Sequence, residues 1–269
     1  MMTDLPPILL VGGGRMGSAM LAGWRELGVG SVMVVDPSPQ AAALAGPGVM
    51  VVPSFGVIPA GFTPDAVVLA VKPQMAAEAL PSYGRFAGRA VFISIMAGKT
   101  IKSVGHMLGV KAAIIRAMPN TPAAVRQGYT VAVAGSHVSA AQRELGERLL
   151  SAIGQMAWVE DEALLDPVTA ISGGGPAYVF LLTELMEQAA LAHGIPPDLA
   201  RAMARQTVIG AGALLAASEE DAAALRVAVT SPKGTTEQAL AVLRDDNAWP
   251  KSFAAAIEAA TERSRELSD

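Results

Sequence analysis

The sequence contains no cysteine among its 269 residues. The chain can therefore form no disulfide, offers no thiolate nucleophile and cannot bind zinc through thiolates. Its three histidines, His106, His137 and His193, lie far apart in sequence and lack the spacing of a helical metal site. We predict no metal site, and the composition does not point to an oxidising compartment.

Clustered positive charge and long apolar runs are also missing. The formal net charge is -4 and the sequence has no basic block, so we do not expect nucleic acid as a partner. The apolar run at 8–11 is too short for a signal peptide and follows no basic region. The longest weakly polar stretch, 207–217, is shorter than the roughly 18 residues that span a bilayer. We therefore expect a cytoplasmic protein that does not enter membranes.

Short apolar runs alternate with helical patterns over the first 160 residues. Continuous apolar runs are typical of strands that are buried on both faces of a parallel sheet. The alternation predicts an α/β fold with a doubly wound sheet. Strands are predicted at 8–11, 32–35, 49–52, 66–71, 90–95, 112–117, 129–134 and 155–160, and helices at 15–27, 38–45, 74–80, 100–108 and 139–153.

The second half of the chain shows only helical patterns. Helices are predicted at 163–170, 176–193, 197–217, 220–229, 235–245 and 248–266. We therefore divide the chain into an α/β domain, 1–162, and an all-helical domain, 163–269. Several of these helices are apolar on more than one side, which predicts a homo-oligomer with its interface in the helical domain. A compact bundle that needs no partner is the alternative.

The segment Gly12-Gly13-Gly14-Arg15-Met16-Gly17 fits the pattern G-x-G-x-x-G. It follows a predicted strand and opens a predicted helix, which is the context of a Rossmann dinucleotide-binding turn. Gly12 would permit the tight turn, Gly14 the approach of the pyrophosphate, and Gly17 close packing of helix on strand. The motif predicts cofactor contacts from these three glycines and from Arg15 and Met16. The alternative is a glycine-rich turn without a ligand.

Asp36 ends the second predicted strand. A carboxylate at this position can accept a hydrogen bond from the 2′-hydroxyl of the adenosine ribose and would repel a 2′-phosphate. The segment 36–40, DPSPQ, offers no Arg or Lys for that phosphate. The local chemistry thus favours NADH over NADPH. Asp36 could instead only cap the following turn.

Two further segments follow strands at the edge of the sheet where ligands bind. Ala70-Val71-Lys72-Pro73 follows the fourth strand, and Asn120 lies in the proline-stiffened loop after the sixth. We expect both to contact the cofactor. Alternatively, Lys72 is a solvated surface charge and the loop around Asn120 is a rigid turn without a ligand.

The segment VTSPKGTTEQA, 229–239, places several hydroxyl groups at the start of a predicted helix. The spacing of Thr235 and Gln238 predicts a capping box, which would occupy one hydroxyl. Ser231 and Thr236 would be left over, and a helix N-terminus with spare hydroxyls can bind a carboxylate.

The motifs occur in one order over nearly the whole chain: GGGRMG, AVKP, ISIMAG at 93–98, RAMPNTP, SGGGPAYVF at 172–180 and VTSPKGTTEQAL. In this combination the chain closely resembles the pyrroline-5-carboxylate reductases. The resemblance implies NAD(P)H-dependent reduction of 1-pyrroline-5-carboxylate to L-proline. It also implies a Rossmann domain followed by a helical dimerisation domain, with dimers that can assemble into rings. The family commonly uses NADPH, whereas Asp36 favours NADH.

The resemblance also implies roles for single residues. Ser231, Gly234, Thr235 and Thr236 would hold the substrate carboxylate, and Thr236 would donate a hydrogen bond or proton near the ring nitrogen as the catalytic residue.

The resemblance further adds Ala97, in ISIMAG, to the cofactor-binding residues. It also implies that AVKP and MPNTP line the nicotinamide half of the cofactor. Lys233 departs from the family's usual SPGG. If that glycine has a positive φ, the lysine must tolerate it or the loop must shift.

Two other functions remain open at this stage. β-Hydroxyacid dehydrogenases have a similar start and a helical second domain, but they carry a catalytic lysine on the helix after a glycine-rich turn. This chain has no lysine from 112 to 232. A dinucleotide-binding sensor or assembly protein without turnover is the other alternative, and the hydroxyl-rich loop at 231–236 argues against it.

Overall fold

The computed structural model describes residues 5–109 and 111–268. Over these residues eight strands form one sheet, in the order β3-β2-β1-β4-β5-β6-β7-β8. Only the β6–β7 ladder is antiparallel among them. The predicted doubly wound α/β fold is confirmed. The strands are β1 (Ile8–Val11), β2 (Val32–Val35), β3 (Val49–Val52), β4 (Ala66–Leu69), β5 (Val91–Ser94), β6 (Ala113–Met118), β7 (Gly128–Ala134) and β8 (Gly154–Trp158).

The central strands are buried on both faces, as their continuous apolar sequences require. Every residue of β1, β4 and β5 is buried. The two faces belong to two apolar clusters, one around Trp24 and Leu149 and the other around Phe92 and Leu80. The Trp24 indole N–H donates a hydrogen bond to the Leu149 carbonyl at 2.9 Å, so this large side chain is buried without an unpaired donor.

The helices that cover the sheet are α1 (Arg15–Glu26), α2 (Ala76–Ala79), α3 (Ile101–Leu108), α4 (Ala140–Ser151) and α5 (Leu165–Val168). Two predicted α-helices contain 3₁₀ turns. The segment predicted at 38–45 forms the 3₁₀ turn Pro39–Leu44, and that at 74–80 is split into Pro73–Met75, α2 and Leu80–Phe86. Pro81 accounts for the end of α2, because it lacks the N–H that a continuous α-helix would use. Pro39 and Pro73 stand at the first position of their turns, where an α-helix also tolerates proline.

The segment predicted as one helix at 163–170 is built from three short pieces. A 3₁₀ turn, Glu162–Leu164, leads into α5, and a π turn, Thr169–Gly173, follows it. Such π turns are rare and occur frequently at functional sites.

The chain divides into two compact units. The first runs to Gly173 and includes the residues from Ala260 onward, and the second is Gly174–Ala259. The sequence-based boundary at 162/163 assigned 163–173 and 260–269 to the helical domain instead. Within the described residues, 163–173 and 260–268 group with the sheet because Leu165 is buried against Val131 and Val133 and because Ser264 binds a residue of α5.

The second unit consists of α6 (Gly175–Ala192), α7 (Pro197–Ala217), α8 (Ala222–Ala228), α9 (Thr235–Leu243) and the first part of α10 (Trp249–Glu266). In the described structure no residue of α6 is buried, although the helix is strongly apolar. Phe180 is 67% exposed and Leu214, on α7, is 62% exposed. Apolar faces of this extent are typical of protein–protein interfaces.

None of the helices in the described ranges is both long and apolar enough to cross a bilayer.

Candidate functional site

The glycine-rich turn joins β1 to α1. Gly12 has φ +102°, and a Cβ there would lie 2.6 Å from the Ala70 carbonyl oxygen. A Cβ on Gly17 would lie 2.1 Å from the Gly12 carbonyl oxygen, so α1 rests directly on the turn. Gly14 differs, since no described atom lies within 4 Å of its Cβ position. The turn is therefore closed towards the protein at Gly12 and Gly17 and open at Gly14.

The start of α1 offers unpaired backbone donors. Gly14 is the N-cap residue, no described side chain caps it, and the first turn contains no acid. The first helical N–H to bond back within the helix is that of Ser18, to Gly14 O at 2.8 Å. The preceding N–H groups, those of Arg15, Met16 and Gly17, have no intrahelical partner. Together with the helix dipole they form a site for a phosphate group.

Asp36 lies directly beside this turn. Its Oδ2 accepts a hydrogen bond from the Gly13 N–H at 2.6 Å, and its Oδ1 accepts one from the Ser38 N–H at 2.8 Å. The carboxylate thus caps the turn after β2 and also supports the turn after β1. A carboxylate can accept about four hydrogen bonds, so it keeps acceptor capacity for a ribose hydroxyl.

The loops after β4 and β5 lie at the same edge of the sheet as the glycine turn, because these strands are parallel to β1. Strand order reverses between β1 and β4, which is where dinucleotides bind in such sheets. Ala70 and Val71 are half-buried against the turn, Lys72 is exposed, and Pro73 begins a 3₁₀ turn. Ala97 is exposed after β5.

Asn120 braces the loop after β6. Its Oδ1 accepts a hydrogen bond from the Tyr129 N–H at 2.8 Å, and its Nδ2 lies 3.3 Å from both the carbonyl oxygen and Oγ of Ser172. Ser172 belongs to the π turn Thr169–Gly173. The side chain of Asn120 therefore joins two of the sequence motifs, RAMPNTP and SGGGP, at the carboxyl edge of the parallel strands.

Sequence reasoning missed one partly buried ion pair at this side of the sheet. The Arg116 side chain is 6% exposed and its Nη1 lies 2.9 Å from Glu162 Oε1. The same carboxylate oxygen accepts a hydrogen bond from the Ile101 N–H at the start of α3. The available signal was an arginine inside the apolar run of β6, which demands a buried partner.

The hydroxyl-rich loop precedes α9 in the second unit. The capping-box prediction is wrong, because α9 begins at Thr235 with Gly234 as its N-cap and no described side chain caps it. The carboxylate of Glu237 instead accepts a hydrogen bond from the Lys233 N–H at 2.8 Å. Lys233 has φ +61°, so the lysine adopts the left-handed conformation that glycine would adopt more easily.

The loop leaves several donors unused. Ser231, Thr235 and Thr236 are exposed, and no hydrogen bond from their hydroxyls is found within the described residues. The N–H groups of the first turn of α9 also lack intrahelical partners. The arrangement can bind a small carboxylate through hydroxyl and backbone donors together.

Metal chemistry has no visible support in the described part of the chain, where no three His, Asp or Glu side chains converge as ligands. Burial raises the pKa of the Tyr83 phenol to about 12. Tyr83 lies in the apolar core, away from the glycine turn and from the loop before α9.

Comparisons with known proteins agree with the two-part organisation. The family model described as pyrroline-5-carboxylate reductase dimerisation matches residues 162–267. The model described as NADP oxidoreductase, coenzyme F420-dependent, matches residues 7–98.

The similarity extends over the full chain in individual relatives. The pyrroline-5-carboxylate reductase of Pseudomonas aeruginosa is 39% identical over 269 residues, which cover 98% of this chain and 97% of the relative. The solved structure of a pyrroline-5-carboxylate reductase from Coxiella burnetii has a TM-score of 0.88 and 33% identity, covering 99% of this chain and 100% of that one. A pyrroline carboxylate reductase from Plasmodium falciparum, solved with NADP bound, has a TM-score of 0.84 and 26% identity, covering 99% and 100%.

Proposed function

The chain belongs to the pyrroline-5-carboxylate reductase family, and we propose that it reduces 1-pyrroline-5-carboxylate to L-proline with a reduced nicotinamide dinucleotide. The observation that carries this proposal is the 39% identity with a reductase of this name over nearly the whole of both chains. The protein is thus an oxidoreductase of proline biosynthesis. The comparisons favour this function over a β-hydroxyacid dehydrogenase or a sensor without turnover.

The glycine turn would hold the cofactor's pyrophosphate. Gly14 lets the phosphate approach the backbone, and the N–H groups of Arg15, Met16 and Gly17 donate to it, while Gly12 shapes the turn. The open space at the Gly14 Cβ position and the uncapped start of α1 support this assignment. When bound, the cofactor supplies the hydride.

The nicotinamide half would lie along the loops after β4, β5 and β6. A dinucleotide crosses the sheet at the switch point, so the half that is not held by Asp36 extends over the other strands. The lining residues would be Ala70, Val71, Lys72, Pro73 and Ala97, with Asn120 holding the loop after β6 in place.

NADH is the preferred cofactor in this proposal. The Asp36 carboxylate is fixed beside the glycine turn by its bonds with Gly13 and Ser38. It can accept a hydrogen bond from the ribose 2′-hydroxyl, and its negative charge opposes a 2′-phosphate. Residues 37–40 supply no positive charge to offset this.

The loop before α9 would hold the substrate by its carboxylate. Ser231 and Thr235 contribute hydroxyls, and Gly234, where a Cβ would lie 2.9 Å from the Ser231 carbonyl oxygen, lets the loop fold closely before α9. Thr236 would donate a hydrogen bond or proton to the ring nitrogen of the neutral imine. Once this nitrogen is protonated the imine carbon is electrophilic, so orientation of the substrate is the main remaining contribution of the protein.

The protein forms a homo-oligomer, in agreement with the dimerisation model that matches its second half. We place the dimer interface on the helical unit, where Phe180 and Leu214 are exposed. A ring of dimers is the higher assembly that the family resemblance suggests.

An assay that follows oxidation of the reduced cofactor tests the function and the cofactor preference together. The purified protein is mixed with 1-pyrroline-5-carboxylate and with NADH or NADPH in separate reactions, and a six-membered cyclic imine is run beside them. We expect consumption of reduced cofactor, faster with NADH, and formation of L-proline. Cofactor binding without turnover would contradict the enzyme assignment and support the sensor.

A further inference from the structure

The last turn of α10 and the residues after it, Ser264–Ser268, form a segment that we name the C-terminal turn. It packs directly on the loop after β5. Gly98 of that loop has φ +71°, and a Cβ at Gly98 would lie 2.5 Å from the carbonyl oxygen of Leu267. The backbone of the loop therefore touches the backbone of the C-terminal turn, with no room for a side chain between them.

The C-terminal turn makes a second, polar contact through Asp166. The Asp166 carboxylate, which is 9% exposed, accepts a hydrogen bond from the Ser264 hydroxyl at 2.7 Å. Ser264 itself is 5% exposed. The hydroxyl of Ser268 lies 3.3 Å from the same oxygen and 2.9 Å from the Ser264 carbonyl. Hydrogen bonds to a buried carboxylate are strong and directional, so they fix the C-terminal turn on α5.

This second contact leads to the loop after β6. Asp166 lies on α5, which continues into the π turn, and Ser172 of that turn accepts a hydrogen bond from the Asn120 amide. The C-terminal turn thus supports two loops at the carboxyl edge of the sheet, one directly through Gly98 and one through Asp166. Both loops follow strands on the β4–β6 side of the switch point.

We propose that the C-terminal turn positions the nicotinamide half of the cofactor site. The adenosine half is held by other groups, namely the glycine turn and Asp36, whose hydrogen bonds within the described chain involve no residue of the C-terminal turn. Loss of the C-terminal turn therefore disturbs one half of the site and leaves the other intact. This inference depends on the cofactor site proposed above.

The test compares two ligands that share the adenosine half. NADH contacts both halves of the site, whereas ADP-ribose lacks the nicotinamide ring. Two variants are compared with the unaltered full chain: a stop codon in place of Leu267, which removes the contact with Gly98, and Ser264→Ala, which keeps the chain length and removes the hydrogen bond to Asp166. Ser264→Ala still tests the inference if the truncated protein does not fold. Dissociation constants are measured by titration calorimetry, and kcat is measured with 1-pyrroline-5-carboxylate.

We expect both variants to bind NADH about tenfold more weakly, which corresponds to about 1.4 kcal/mol, and to bind ADP-ribose as the unaltered protein does. We also expect kcat to fall by about tenfold or more, since small displacements of a reacting group are costly. A matched control is Trp24→Phe, which removes the buried bond to Leu149 near the far end of α1. This control should lower the melting temperature and leave the ratio of the two dissociation constants unchanged.

Two results would overturn the inference. Unchanged NADH affinity and kcat in both variants would show that the C-terminal turn does not position the site. A parallel loss of NADH and ADP-ribose affinity would show a general loss of structure. The binding comparison needs no turnover, so failure of the unaltered protein to reduce pyrroline-5-carboxylate would count against the proposed function alone.

Discussion

The carboxylate of Asp36 accepts a hydrogen bond from the backbone N–H of Gly13, with 2.6 Å between Asp36 Oδ2 and the Gly13 nitrogen. This bond connects the residue after β2 with the turn after β1. One side chain thereby supports the glycine turn and presents negative charge where the adenosine ribose is expected. The structural role of Asp36 is therefore coupled to the cofactor-selecting role that we propose for it.

Asp36→Asn tests the charge of this side chain. The asparagine has one acceptor oxygen, which can still accept a hydrogen bond from Gly13, but its NH2 group cannot accept the one from the Ser38 N–H. The neutral side chain no longer repels a 2′-phosphate. We expect kcat/KM for NADH to fall by about tenfold, because a hydrogen bond to a charged group contributes about 1.5–3 kcal/mol, and kcat/KM for NADPH to rise. Ser38→Ala is the control, since Asp36 uses only the backbone N–H of Ser38. Equal losses with both cofactors would contradict a role of Asp36 in selection.

Two substitutions in the glycine turn should affect different properties, namely NADH affinity for Gly14→Ala and stability for Gly17→Ala. Gly14→Ala places a methyl group in open space, so we expect normal stability but weaker NADH binding, because the methyl group obstructs the pyrophosphate. Gly17→Ala forces a Cβ to 2.1 Å from the Gly12 carbonyl oxygen. We expect it to lower the free energy of unfolding by about 1–3 kcal/mol, as overpacking does. Urea unfolding and NADH titration distinguish the two, and a stable Gly14→Ala protein with unchanged affinity would place the pyrophosphate elsewhere.

Thr236→Ala tests the hydrogen bond that we propose between Thr236 and the substrate ring nitrogen. We expect kcat to fall by about a hundredfold, the lower part of the range for a lost proton donor, with folding and NADH affinity near normal. Thr230→Ala is a nearby control, because the Thr230 hydroxyl already donates a hydrogen bond to the Arg226 carbonyl at 2.6 Å. Full activity of the Thr236→Ala enzyme in a steady-state assay would remove this threonine from the mechanism.

Lys233→Gly tests the cost of the left-handed lysine. An L-residue in this conformation is disfavoured by roughly 1–2 kcal/mol, and the greater freedom of glycine in the unfolded chain offsets part of this. We expect the free energy of unfolding to rise by up to about 1 kcal/mol. Because the lysine side chain is exposed, KM for the substrate should change little. A tenfold higher KM would show that the ammonium group binds the substrate carboxylate.

The raised pKa of Tyr83 predicts that the free energy of unfolding falls at high pH. Burial raises its pKa to about 12 from about 10, so the fold favours the neutral phenol. This contribution is fully present below pH 10 and is lost as the pH rises through 12, by roughly 2–3 kcal/mol. In urea unfolding at several pH values, Tyr83→Phe should lose less stability over that range than the unaltered protein. Identical losses in both proteins would mean that another group is responsible.

The sheet was predictable from sequence because burial on both faces leaves a continuous apolar run for each strand. The bounds of β1, β2 and β3 agree with the predicted runs residue for residue. The short turns that begin at Pro39 and Pro73 were less predictable, because their apolar spacing fits an α-helix and a proline at the first position is compatible with one.

The long-range contacts that organise the site could not be predicted from local sequence patterns. Arg116 and Glu162 are 46 residues apart, and Asp166 and Ser264 are 98 residues apart. Spacing within a motif contains no information on such pairs. The capping-box prediction failed for a related reason, since the spacing of Thr235 and Gln238 does not decide which residue begins the helix.

A crystal structure of the full-length protein with L-proline bound tests the central claim most directly. The account predicts the proline carboxylate at about 2.7–3.2 Å from hydroxyl or N–H groups of Ser231, Thr235 and Thr236, with the ring nitrogen beside the Thr236 hydroxyl. Proline bound with its carboxylate held by other residues, and the loop 231–236 making no contact with it, would contradict the account.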